Sequence, residues 1–91
     1  MYNLPSPADI QQFIKTDNNR YQLDFVSRDE CKDIQSILWM CLELEIVGNR
    51  TLSQYLDLSI TAWQHRESGR GSEFIRQMRN AMKNRGEYVT L

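Results

Sequence analysis

The chain has 91 residues, of which 41% are hydrophobic and 25% are charged, values typical of one soluble globular domain with a modest core. The longest apolar run, 37–42, is too short to cross a membrane, and the first residues lack a signal-peptide pattern, so we expect a cytoplasmic protein. The net charge of −1 hides an asymmetry, because residues 1–47 carry −4 and residues 48–91 carry +3.

The N-terminal part predicts a short helix followed by an extended piece. Ser6 is a typical N-cap, and Pro7 is favoured at the first helical position, so we expect a helix over 7–15. The polar run at 17–19 ends it. Apolar and polar residues alternate over 21–25, a pattern that favours a short strand.

A long helix follows, from about 28 to 44. Ser27 and Glu30 have the spacing of a capping box, in which each side chain accepts a hydrogen bond from the other residue's backbone N–H. The inner stripe of this helix is predicted to include Ile34, Leu38, Cys41 and Leu42. Cys31 and Cys41 are ten residues apart on it, about 15 Å, too far for a disulfide. With a single histidine elsewhere, they form no plausible metal set, so we expect two buried thiols, no metal and no cofactor.

The segment 49–68 predicts a helix-turn-helix, with helices at 52–56 and 60–67. Thr51 and Gln54 form a second capping-box pattern, Asp57 and Leu58 would form the turn, and Ser59 would cap the second helix. Trp63 is expected to anchor this second helix in the core. The polar side chains left on its outer side would face the major groove; they are Ser59, Thr61, Gln64 and His65.

The last part predicts one more helix and a β-prone tail. Residues 68–71 are interpreted as a flexible break, and Ser72 as the cap of a helix over 73–84. The tail covers 87–91. The fold class is therefore an all-α, compact four- to five-helix domain over residues 1–91, with an N-terminal extension (1–26), a helical core (28–84) and a short tail.

Residues 58–70, Leu-Ser-Ile-Thr-Ala-Trp-Gln-His-Arg-Glu-Ser-Gly-Arg, resemble the recognition-helix segment of the Cro/CI (XRE-like) helix-turn-helix family. Within this segment, the pieces 62–64 and 67–70 are similar to those of small phage-associated autorepressors. Aligned without gaps, the resemblance covers 28–84. The chain departs from the family pattern at three positions. Glycine is usual at the position of Asp57, an apolar residue is usual at that of Arg66, and a polar residue that contacts bases is common at that of Ile60.

The resemblance implies a homodimeric repressor of phage or mobile-element type that binds an inverted-repeat operator in double-stranded DNA with helix 59–67. It implies phosphate contacts from the start of the first motif helix, by Asn49, Arg50 and Thr51, and from Arg70 beyond the second. Within the groove it places Ser59, Thr61, Gln64 and His65, with Ile60 against a thymine methyl group.

Several interpretations stay open. The bases of the last helix, Arg76, Arg79, Lys83 and Arg85, are either phosphate contacts or an ordinary solvated face. Trp39 is either core or part of a dimer patch. A second hypothesis is a small phage-type inhibitor or adaptor that binds a host protein through the acidic N-terminal half. No nucleophile–base pair or glycine-rich phosphate loop is present, so we do not expect an enzyme.

Overall fold

The computed structural model describes residues 4–16, 21, 23, 26–44 and 51–85, without the side chain of Arg85. Within these residues the chain forms helices and no strand, which confirms the all-α class. The predicted tail at 87–91 lies outside the described residues, as do three of the five residues of the predicted strand at 21–25. The helices are α1 (Pro7–Thr16), α2 (Arg28–Glu43), α3 (Leu52–Gln64) and α4 (Gly69–Arg85).

The first two helices begin where the sequence predicts. The Ser6 hydroxyl accepts a hydrogen bond from the Asp9 N–H at 3.1 Å. The Ser27 hydroxyl accepts one from the Glu30 N–H at 3.1 Å, and the Glu30 carboxylate accepts one from the Ser27 N–H at 3.0 Å. The hydrogen bond that the Glu30 carboxylate accepts from the Ser27 backbone N–H is the main cause that lowers the pKa of Glu30. The cap is therefore complete above the ordinary carboxyl range and weakens as the pH falls through the lowered pKa.

The core is built around α2, which contacts all three other helices. Its side chains Cys31, Ile34, Leu38 and Cys41 are all 0% exposed. Both cysteines are buried thiols, as predicted, and burial raises the pKa of the Cys31 thiol. Buried apolar residues of the other segments enclose this stripe: Ile10, Ile14, Tyr21, Val26, Tyr55, Leu56, Ile60, Ala62, Trp63, Ile75, Met78 and Met82.

The third helix runs without interruption from Leu52 to Gln64, so the predicted turn at Asp57–Leu58 and the predicted helix start at Ser59 are wrong. The Ser59 hydroxyl donates to the Tyr55 carbonyl oxygen at 2.8 Å. A serine that bonds back to residue i−4 is satisfied inside a helix and does not need to cap one. Neither glycine nor proline stands at the predicted turn, so nothing there ends the helix.

A four-residue turn, 65–68, joins α3 to α4, and α4 begins at Gly69 rather than at the predicted residue 73. Gly71 lies directly against this turn. A Cβ atom on Gly71 would be 2.1 Å from the His65 carbonyl oxygen, whereas one on Gly69 would meet nothing within 4 Å. Glycine at position 71 therefore allows the first turn of α4 to lie close to the end of α3.

No helix in the described ranges has both the length and the apolar character that a membrane span requires.

We predict that Gly71→Ala lowers the free energy of unfolding by about 1–3 kcal/mol, because the added methyl group collides with backbone that cannot move aside cheaply. Gly69→Ala is the matched control. It adds the same methyl group to the same turn of helix in open space, so we expect a change within about 0.5 kcal/mol. Urea denaturation followed by circular dichroism measures both, and equal stability of the two variants would contradict the close approach.

Candidate nucleic-acid interface

The start of the predicted motif is only partly described. Asn49 and Arg50 lie outside the described residues. Thr51 is exposed and is the N-cap of α3, where its hydroxyl accepts a hydrogen bond from the Gln54 N–H at 3.2 Å. Its predicted phosphate contact is compatible with this exposure and stays a prediction.

Two predicted groove contacts are incompatible with the structure. Ser59 and Ile60 are both 0% exposed. Because α3 does not break before Ser59, these two side chains fall on the inner side of one continuous helix, where Ile60 joins the core and Ser59 bonds to Tyr55. Neither side chain can reach a base edge.

Gln64 is half-buried and has an internal partner. Its Nε2 donates to the Tyr21 carbonyl oxygen at 2.6 Å, across 43 residues of sequence. This hydrogen bond ties the end of α3 to the segment between α1 and α2. The amide predicted to read DNA thus has a structural function in this chain.

The remaining predicted contacts are exposed but lie on different elements. Thr61 is on the last turn of α3, His65 is its C-cap, and Arg70 is in the first turn of α4. The structure therefore does not assemble the predicted reading surface on one helix. Contacts of these three residues with DNA stay predictions.

Trp63 is 5% exposed, which confirms it as a core anchor. The Arg66 guanidinium carbon lies 4.2 Å from the centroid of the Trp63 ring, and its Nη1 donates to the Trp63 carbonyl oxygen at 2.8 Å. Arg66 thus covers the indole by a cation–π contact and places a positive charge at the C-terminal end of α3. This explains how an arginine is accommodated where the resembled family has an apolar residue.

The outer face of α4 is an exposed, charged surface. This 17-residue helix is about 25 Å long, and its inner face is formed by Gly71, Ile75, Met78 and Met82. Residues three and four positions apart share a side of a helix. On the outer face of α4 they form two rows of side chains that run side by side along the helix. We call Arg76, Arg79 and Lys83 the basic row, and Gln77, Asn80 and Asn84 the amide row; all six residues are exposed.

One carboxylate lies beside the basic row. Arg76 Nη2 donates to both Glu73 carboxylate oxygens, each at 2.6 Å. This hydrogen bond lowers the pKa of Glu73 and raises that of Arg76, so both groups are charged at neutral pH. Both side chains are well exposed, at 63% for Arg76 and 48% for Glu73. The ion pair is therefore weak, and Arg76 can exchange Glu73 for another anion.

The basic row also forms one wall of an open groove between α2 and α4, with a volume of about 870 Å³. Asp33 and Ser36 line the opposite wall, and the nearly buried side chains of Ile37, Met40 and Ile75 form the floor. The groove separates the basic row from the acidic residues of α2. The sequence left open whether the bases of α4 contact phosphates or form an ordinary solvated face. The signal that favours phosphate contacts is the excess of five basic residues over one acidic residue in this helix.

Among the described residues, no cluster of histidine, cysteine, aspartate or glutamate could hold a metal ion. The chain matches no protein-family model, no curated protein and no solved structure. The resemblance of residues 58–70 to the Cro/CI family is therefore still a prediction.

We predict that Gln64→Ala lowers the free energy of unfolding by about 1 kcal/mol, because it removes a half-buried hydrogen bond and leaves the Tyr21 carbonyl to find another donor. Thr61→Ala, one turn earlier on the exposed side, should change stability by less than about 0.5 kcal/mol. Thermal unfolding of the two variants gives the comparison. A Gln64 variant of unchanged stability would return this residue to the list of candidate DNA contacts.

Proposed function

We propose that this protein binds duplex DNA through the outer face of α4 and acts as a DNA-binding regulator. The observation that supports the proposal is the pairing of the basic row with the amide row on one exposed helix. The reading helix proposed here is α4, and not residues 59–67.

The basic row supplies affinity in this proposal. α4 carries five basic residues and one acidic residue, and the cations of the row recur at each turn along one side. A row of this kind can follow the phosphates of one strand and release the counterions condensed on them. Such binding is independent of sequence and falls steeply as the salt concentration rises.

The amide row supplies sequence preference. Asparagine and glutamine side chains can bond bidentately to the N6 and N7 atoms of adenine, and arginine can do so to guanine. The major groove is about 12 Å wide and admits one α-helix. An exposed helix with amides along its centre and cations along one edge has the chemistry to read bases and hold phosphates at once.

The connection between α3 and α4 supports the same assignment. Two helices joined by a turn of three or four residues are the minimum of a helix-turn-helix, whose second helix enters the groove. Here the four-residue turn is 65–68. In this proposal the motif is shifted toward the C-terminus from its predicted position, and the cation Arg70 falls in the first turn of its second helix.

We predict that the wild-type chain binds a mixed-sequence duplex with an affinity that falls as salt rises. Arg79→Gln and Lys83→Gln should each reduce the slope of log affinity against log salt by about 1, because each removes one phosphate contact. Lys15→Gln, an exposed cation on α1, is the matched control and should leave the slope unchanged. Fluorescence anisotropy over a salt series measures all four proteins.

We further predict that Glu73→Gln tightens DNA binding, because it removes the one acidic group of α4 and releases Arg76 from its present partner. The expected gain is several-fold at low salt and shrinks as salt screens the charges. Asp29→Gln, which removes an exposed carboxylate from α2, should have a much smaller effect. Absence of any salt-dependent binding, or binding indifferent to every α4 substitution, would overturn the proposal and favour the protein-binding alternative.

A further inference from the structure

The groove between α2 and α4 is open to solvent and has the dimensions of a helix-binding surface. Its α4 side is lined at positions 72, 75, 76, 79, 80 and 83, and its α2 side at positions 33, 36, 37 and 40. The α4 side thus covers three helical turns, about 16 Å. A groove of this length can hold one side of a third helix, whose contacts recur at i, i+3, i+4 and i+7.

The groove combines an apolar floor with an excess of positive charge. Nearly buried apolar side chains of both helices form the floor. The basic row and Arg66 contribute four cations to the lining, against the two carboxylates of Asp33 and Glu67. This combination favours an occupant that is apolar on one side and anionic next to it.

One side chain that lines the groove has an unsatisfied hydrogen-bond donor. Trp63 is 5% exposed, and among the described residues nothing accepts a hydrogen bond from its buried Nε1. A buried donor without a partner is costly, and most such donors in proteins are satisfied. A carboxylate oxygen that reached Nε1 would remove this penalty, so the groove gains from an occupant rich in acceptors.

We propose that the groove between α2 and α4 binds an acidic amphipathic α-helix of another protein. The apolar stripe of that helix would rest on the floor, its carboxylates would face the basic row, and its remaining side would stay in water. Because Arg79 and Lys83 are one turn apart, carboxylates one turn apart on the occupant match them.

The occupant has to come from another chain. The four helices already bury their apolar residues in one core, so neither this molecule nor a second copy has a described helix with an apolar stripe to offer. Within the 91 residues, no stretch outside the described ranges is longer than six residues, whereas three helical turns need about 11. A separate, acidic protein segment is therefore the occupant that fits.

The cations that would hold this helix are those that hold DNA in the proposed function. An acidic helix in the groove engages the basic row and displaces phosphates from it. The groove is then a control point at which an acidic protein releases the DNA. Binding of the helix stands by itself, and only this competition rests on the proposed function.

Binding of the helix is measured without DNA, by fluorescence anisotropy of a labelled peptide of about 18 residues, long enough to form a helix. Its leucines recur at i, i+3, i+4 and i+7, and glutamates flank them. We expect saturable binding with a Kd of roughly 10–100 μM. Two control peptides should bind at least about tenfold more weakly. One has lysine in place of every glutamate, and the other has the same composition without the helical repeat of leucines.

One substitution separates the groove from the DNA-binding face. Ser36 is exposed and lines the groove from α2. Ser36→Phe fills the groove and leaves α4 unaltered, so it should weaken peptide binding about tenfold and keep the DNA affinity of the wild type. Ser53→Phe places the same side chain on an exposed position of α3 outside the groove and should change neither affinity. Circular dichroism checks that both variants are folded.

Competition is measured with both ligands present. Peptide at ten times its Kd should weaken DNA binding of the wild type about tenfold, and that of Ser36→Phe about twofold or less. DNA affinity that the bound peptide leaves unchanged would overturn the competition.

Three results would overturn the site itself: no binding of the acidic peptide, equal binding of the peptide without the repeat, or unchanged peptide affinity in Ser36→Phe. Equal binding of the two acidic peptides would mean that the groove takes any polyanion. DNA binding without peptide binding refutes this inference alone, and peptide binding without DNA binding refutes the proposed function alone.

Discussion

The structure depends on the burial of one stripe of α2. Cys31, Ile34, Leu38 and Cys41 are wholly inaccessible to solvent, and α1, α3 and α4 all rest on this helix. In a chain this small, no second core is available to hold the elements if this stripe is disturbed. Cys41 lies at the meeting point of three helices, with the Ser59 hydroxyl 3.9 Å and the Met78 sulfur 3.6 Å from its Sγ. The position of α4, on which the proposed function rests, is thus set partly from α2.

The second constraint is the corner between α3 and α4. Arg66 covers Trp63 at the end of α3. At the start of α4, Gly71 has no side chain, so the His65 carbonyl can lie close to it. A bulky side chain at 71 would push the two helices apart. The corner therefore orients the outer face of α4 relative to the core, and it turns the basic and amide rows toward solvent.

In the proposed function, α4 meets DNA through its outer face. The groove between α2 and α4 lies beside this face, with the basic row on one wall and Asp33 on the other. The width of the groove keeps the Asp33 carboxylate on the far wall, so that in the proposed function the cations of the basic row remain available to phosphates.

Reading the residues alone predicts the helical class, the starts of α1, α2 and α3, and the burial of Trp63 and the cysteines. These follow from local signals: capping residues that satisfy free backbone N–H groups, and apolar residues at helical spacing. The continuation of α3 through Asp57 and the bond from Gln64 to Tyr21 depend on the packing of distant segments, so no local signal predicts them. A serine can either cap a helix or bond back within one, and which occurs depends on what the rest of the chain buries. For the same reason, the exposure of the α4 face and of Trp39 could not be predicted: side chains become surface only once their neighbours are packed.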